Sequence, residues 1–125
     1  MTSSPTINLS DSAEICDTLH KAAELLLSYD GRDGSTHQIP SKGSVLVSGD
    51  LHDNPHHLEK ITGLALLEDR QNHVVLQELI HSGEAHSTHD LSYQMLARAA
   101  RLVIAHPNQV HPILANHELS QVTGR

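Results

Sequence analysis

A chain of 125 residues has room for one domain with a modest core, and without phenylalanine or tryptophan that core must come from leucine, valine, isoleucine and alanine. A formal charge of -7 with no basic block argues against nucleic acid or an anionic membrane as partner, and no apolar run approaches the ~18 residues of a membrane span. One cysteine excludes an internal disulfide framework, and the polar start lacks the features of a signal peptide, so a cytoplasmic protein is expected.

Residues 1–10 are polar. Asp11 with Glu14 three positions on makes a capping box. Ile15, Leu19, Ala22, Ala23 and Leu26 then recur at helical spacing, which predicts an amphipathic helix to about Tyr29. Cys16 falls within it and reads as a buried structural thiol. Asp30-Gly31-Arg32-Asp33-Gly34 stops this helix, and the polar residues up to Lys42 read as a loop. Residues 43–48 read as a short buried strand. Asn54 as N-cap and Pro55 at the first helical position open a second helix, whose apolar face of Leu58, Ile61, Ala65 and Leu66 runs to about Glu68. A second strand is expected over 72–76 and a polar, histidine-containing loop over 82–90. Leu91, Met95, Ala99, Leu102 and Val103 mark a third helix that ends at His106-Pro107-Asn108, and a third strand covers 109–114.

After the first helix the order is β-α-β-α-β, which predicts an α/β fold: a parallel sheet with right-handed crossovers, preceded by an N-terminal helix. Two parts are expected, an N-terminal helix and polar loop over 1–42 and the sheet-bearing domain over 43–125. In parallel sheets ligands gather beyond the carboxyl ends of the strands. Three polar segments stand there: Gly49-Asp50-Leu51-His52, Glu78, and Ala115-Asn116-His117-Glu118. Asp50 and His52 lie two residues apart, so in an extended segment they point the same way and can grip one metal. Glu78 can bridge two metals, and Asn116 offers a carbonyl to the second. His117 is then placed to protonate a leaving oxygen. Oxygen-rich ligands with one imidazole suit hard or borderline divalent ions. A pair of them about 3.5–4 Å apart can hold a phosphate and activate a bridging water. Glu118 reads as a structural partner for a neighbouring backbone or basic group, and His56 and His57, in the first turn of the second helix, as surface residues.

These segments resemble the motifs of the calcineurin-like metallophosphoesterases, and over 42–124 the chain looks like the N-terminal half of one, closest to the serine/threonine phosphoprotein phosphatase branch. The GD-x-H motif is matched by Gly49-Asp50-Leu51-His52 and the GNHE motif by Ala115-Asn116-His117-Glu118. The stretch 95–118, a helix, a Pro-Asn turn and a strand running into the second motif, is similar as well. The resemblance implies half of an αββα sandwich and a metal-dependent phosphoester hydrolase. It implies two divalent ions (manganese, iron or zinc), Asp50, His52, Glu78 and Asn116 as metal ligands, and His117 as general acid. The implied substrate is a phosphorylated small molecule or protein.

The middle motif departs from the family. Where the family reads GD-x-x-DRG, this chain has Gln77-Glu78-Leu79-Ile80-His81-Ser82-Gly83. Glu78 takes the place of the bridging aspartate. His81 stands where the family has the aspartate that orients the acid histidine, so it is expected to work beside His117. Ser82 replaces a phosphate-binding arginine, so the resemblance implies metal binding more strongly than phosphoprotein specificity. The family's further histidine ligands, an isolated His and a GH-x-H segment, have no counterpart before Arg125. A fragment, a chain completed by a partner, or a truncated non-catalytic relative that binds metal or protein are the readings this leaves. A third class of reading is a histidine-rich metal-binding protein using His81, His86 and His89.

Overall fold

The computed structural model describes residues 6–81 and 91–124, so Ser82, His86, His89 and the loop expected over 82–90 lie outside the described residues. Helix α1 spans Ser12–Leu27. Its N-cap is Asp11, whose Oδ1 accepts from the Ala13 and Glu14 N–H groups at 3.0 and 3.2 Å. The second arm of the expected box reaches elsewhere: Glu14 Oε1 accepts from the Asn8 N–H at 3.2 Å and so ties down the chain entering the helix. Asp11→Ala leaves both N–H groups without a protein acceptor and is expected to cost about 1 kcal/mol, read as a lower urea midpoint at unchanged slope.

Ile15, Thr18 and Ala22 form the buried face of α1. Cys16 is exposed. That corrects its reading as a buried thiol: one residue of helix turns the side chain by about 100°, which carries Cys16 off the face led by Ile15. The expected loop that follows holds a small antiparallel pair, β1 (Arg32–Asp33) and β2 (Thr36–His37). The Tyr29 hydroxyl donates to the Gln38 carbonyl at 2.8 Å, and the Gln38 N–H to the Gly31 carbonyl at 2.7 Å, closing this strap on itself.

The main sheet is α/β as the element order requires. Strands β3 (Val45–Asp50), β4 (His73–Gln77) and β5 (Val110–Pro112) are all parallel and lie in the order β3-β4-β5. Helices α2 (Pro55–Ala65) and α3 (Tyr93–Ala105) make the two crossovers, and α4 (Asn116–Thr123) follows β5. Gly43 starts β3 with φ +86°, and a Cβ there would sit 2.0 Å from the Gln71 carbonyl oxygen. That close approach lets Ser44 bond Asn72 Oδ1 at 3.1 Å and accept from the His73 N–H at 2.8 Å, which sets the parallel register. Asn54 caps α2 through the His57 N–H at 3.2 Å. Leu66 turns left-handed at φ 52°, ending α2 before the expected Glu68.

Val74 and Leu76 of β4, both fully buried, form the centre of the core with Val110, Leu58, Met95, Ala99 and Val103. Ala22 of α1 joins this cluster, and α1 packs along α3. Helices α2 and α3 therefore lie over one face of the sheet, with α1 packed on α3. On the other face Val45 is 46% exposed and Val47 61%, so the expectation of a buried strand over 43–48 is corrected. A continuous apolar run suits a strand covered on both faces, and here β3 is covered on one. Among the described residues no helix is long and apolar enough to cross a membrane.

Candidate metal centre

The carboxyl ends of β3 and β4 are interlocked. Between Val47 and Asp50 the register slips against Val75 to Gln77, a bulge in β3. The buried Ser48 hydroxyl repairs the ladder there by accepting from the Gln77 N–H at 3.2 Å. Past the strands the two chain tails stay together. The His52 N–H donates to the Glu78 carbonyl at 2.7 Å and the Asp53 N–H to the Leu79 carbonyl at 2.9 Å. To make these bonds His52, Asp53 and Glu78 adopt φ of 42°, 54° and 50°, and His81 follows at 74°. Left-handed backbone at non-glycine residues costs about 1 kcal/mol or more each, offset here by the paired tails and by the contacts that follow. Asp50 and His52 are thus not side by side on an extended strand. The chain turns at His52, and the two meet as a pair, Nε2 to Oδ2 at 3.3 Å.

Glu78 is buried, with 6% of its surface exposed. Its Oε1 accepts from the His117 backbone N–H at 3.3 Å and also meets His117 Nδ1. His117 is the second residue of α4, so the carboxylate also faces the positive end of a helix. Glu118 fastens the same junction from the other side. Its Oε1 accepts from the Leu79 and Ile80 N–H groups at 2.7 and 3.3 Å, and its Oε2 from the Ala115 N–H at 3.3 Å. Of the two partners expected for it, backbone or a basic group, these are backbone. The tail of β4 and the start of α4 are therefore held by two adjacent carboxylate clamps, Glu78 and Glu118.

Four ring and carboxylate groups gather around this point. His81 is exposed and stacks on His117 with centroids 4.0 Å apart and planes 8° from parallel. The His52 ring lies 5.7 Å from His117 and 6.1 Å from His81. In a face-to-face stack the ring nitrogens point sideways, so this stack joins His81 and His117 without an N–H···N bond. Glu78, not His81, occupies the carboxylate position on His117 Nδ1.

One donor atom each from His52, Glu78 and His117 lie within 4.8 Å of one another. His52 Nδ1 is buried without a hydrogen-bond partner, while its Nε2 is taken by Asp50. An imidazole with one nitrogen on a carboxylate and the other buried and unpartnered has the arrangement of a metal-ligating histidine with its outer-shell partner. Two imidazoles and a carboxylate suit zinc, iron or manganese. The residues present fit an ion. Relative to the four ligands expected from sequence, the structure brings together His52 and Glu78, adds His117 to them, and sets Asp50 behind His52. Asn116 is exposed at the first position of α4, and nothing among the described residues ties its side-chain amide to the cluster. His56 and His57 are exposed on α2. The reach of His117 into the donor set was missed from sequence; its one signal was adjacency to Glu118, whose clamp pulls the start of α4 onto the β4 tail.

No family model matches this chain, and neither a curated protein nor a solved structure matches it.

Proposed function

We propose that the chain carries the ion-binding side of a metal-dependent phosphoester hydrolase, with His52, Glu78 and His117 as the donor set. The observation that carries this reading is the convergence of those three groups around a buried, unpartnered His52 Nδ1. The motif resemblance of Gly49-Asp50-Leu51-His52 and Ala115-Asn116-His117-Glu118 directs it to phosphoesters. When bound, a manganese, iron or zinc ion would supply positive charge to a phosphoryl group and lower the pKa of water. The protein's own tasks are then distinct. Asp50 holds the His52 tautomer, the buried Glu78 contributes an anionic oxygen, and Glu118 keeps the α4 start in place.

A second assignment for His117 is favoured by its contact with Glu78. A carboxylate on Nδ1 leaves Nε2 free, and from there an imidazolium can pass its proton to a departing alkoxide. His117→Ala separates the two roles. If His117 is a ligand, manganese affinity falls. If it is the acid, affinity stays, turnover of alkyl phosphates is lost, and turnover of phosphates with an activated leaving group survives.

The test of the proposal is manganese titration by calorimetry together with hydrolysis of p-nitrophenyl phosphate. Binding of manganese and chelator-sensitive hydrolysis are expected. Asp50→Asn, which spares the donor set and removes its outer-shell support, is expected to lower affinity or rate by roughly ten- to a hundredfold. Metal uptake without turnover would favour a non-catalytic metal-binding module, and no uptake at all would end both readings.

A further inference from the structure

A second group of histidines lies back along β4 and β5, about 10–16 Å along the strand from Glu78, and it owes nothing to the metal reading. An Arg32 guanidinium nitrogen is 3.2 Å from His37 Nε2. His37 Nδ1 is 3.0 Å from His111 Nδ1, and His111 Nε2 is 3.0 Å from His73 Nδ1. Tyr29 stacks on His37 with centroids 4.6 Å apart and meets His111 edge-on at 5.2 Å. His73 and His111 are buried, at 4% and 3% exposure. The chain thus runs from the β1–β2 strap onto β5 and then β4.

Its proton positions follow from one end. A guanidinium donates and never accepts, so His37 Nε2 must be a lone pair and the His37 proton sits on Nδ1. That proton donates to His111 Nδ1, which places the His111 proton on Nε2. His111 Nε2–H donates to His73 Nδ1, leaving the His73 proton on Nε2. All three rings are neutral, each in one tautomer. An added proton would set two N–H groups face to face: at His37 against Arg32, at His111 against His37, or at His73 against His111. Each breaks one link, and it is protonation of His111 that breaks the link joining strap to sheet.

Among the described residues, no carboxylate is bonded to this chain to compensate a new charge. From the strap come Arg32 and His37, from the end of α1 Tyr29 beside Asp30, and from β4 and β5 only His73 and His111. Asp30, Lys42, Glu68, Arg70 and His106 line the cavity that Tyr29 and His73 share. Burial and then Arg32 lower the pKa of His37, and burial lowers that of His73. Burial, then His73 and His37, push His111 down to about 4. Only backbone carbonyls oppose this, Leu26 at His37 and Asn108 at the other two. Tyr29, Asp30, Gly31 and Gln38 of the strap form one wall of that cavity, whose volume is about 930 Å³.

We propose that Arg32, His37, His111 and His73 form an acid-released clasp: protonation of His111 turns its Nδ1 from acceptor to donor, breaks the His37–His111 hydrogen bond, frees the 29–38 strap from the sheet and opens the cavity behind it. Hydrogen exchange on the whole chain, read by mass spectrometry between pH 7 and 5 and corrected for intrinsic rates, tests this. The strap is expected to lose protection at least tenfold over that range while the 95–103 segment of α3 stays the better protected at every pH. Strap protection that does not change, or that equals that of α3 throughout, would overturn the proposal. His37→Phe keeps a ring against Tyr29 and removes both nitrogens, so its strap protection is expected to be low and independent of pH; the original pH dependence in this variant would also overturn it. Nitrogen NMR of the histidines near pH 7.5 gives a check that needs no variant. It should show Nδ1–H at His37 and Nε2–H at His111 and His73, and the opposite tautomer at His111 would refute the chain.

Discussion

Glu78→Gln is expected to lower manganese-dependent phosphoester turnover by roughly a hundredfold to a thousandfold while the protein stays folded. The side chain is buried, and its Oε1 serves the His117 ring and the His117 backbone N–H together. Glutamine has the same length and can still accept from one N–H, so packing around the β4 tail is kept. What it loses is the negative charge. Under the proposed function that charge serves either role of His117: as an anionic donor among two imidazoles, or as the group that stabilises His117 when it carries a proton. The structural cost is small, about 0.3–1 kcal/mol for one anion removed from the amino end of α4. A thermal melt, a manganese titration and turnover of p-nitrophenyl phosphate on the same sample separate these effects. A glutamine variant with undiminished turnover would remove Glu78 from the site.

Acidification is expected to take about 3 kcal/mol from the folded state through His111 alone. Its folded pKa is about 4 against an ordinary 6.5, and each unit of difference is worth about 1.4 kcal/mol. Between those two values the unfolded chain binds the proton and the folded chain does not. Stability is therefore complete above about pH 6.5 and is lost as pH falls toward 4. His37 and His73 shift in the same direction and steepen the fall. Set against the 5–15 kcal/mol typical of a small domain, the loss is a large fraction. Urea midpoints at pH 7 and pH 4.5 measure it, and His111→Leu should flatten the dependence. Equal midpoints at the two pH values would show that the imidazole chain carries no such linkage.

Helix α1, helix α3 and the start of α2 were legible because each is announced by neighbours in sequence: Asp11 before an apolar stripe, the stripe from Met95 to Val103, and Asn54 followed by Pro55. The order of those elements then required parallel strands, since a helix between two strands returns the chain in the same direction. Helix α4 was not legible. Leu119 and Val122 are exposed, 48% and 80%, so it has no buried stripe to find, and it is held at its start by Glu118 bonding the β4 tail. Cys16 and the Val45–Val47 face were misjudged for a related reason: composition shows which residues are apolar, and only packing shows which side is covered.

At the candidate site the residue types and their strand-end positions were determined by sequence alone. Their contacts were decided by tertiary structure. The left-handed turns at His52 and Glu78 have no glycine to signal them, and they exist because two chain tails bond each other across the sheet. Those bonds place Asp50 behind His52 and Glu78 against His117. The same holds for His37, His73 and His111, which come from three distant segments and meet only because β4 and β5 pair under the strap. Helical and strand periodicity reports forces that act over a few residues; which titratable groups touch depends on register and crossover between segments tens of residues apart.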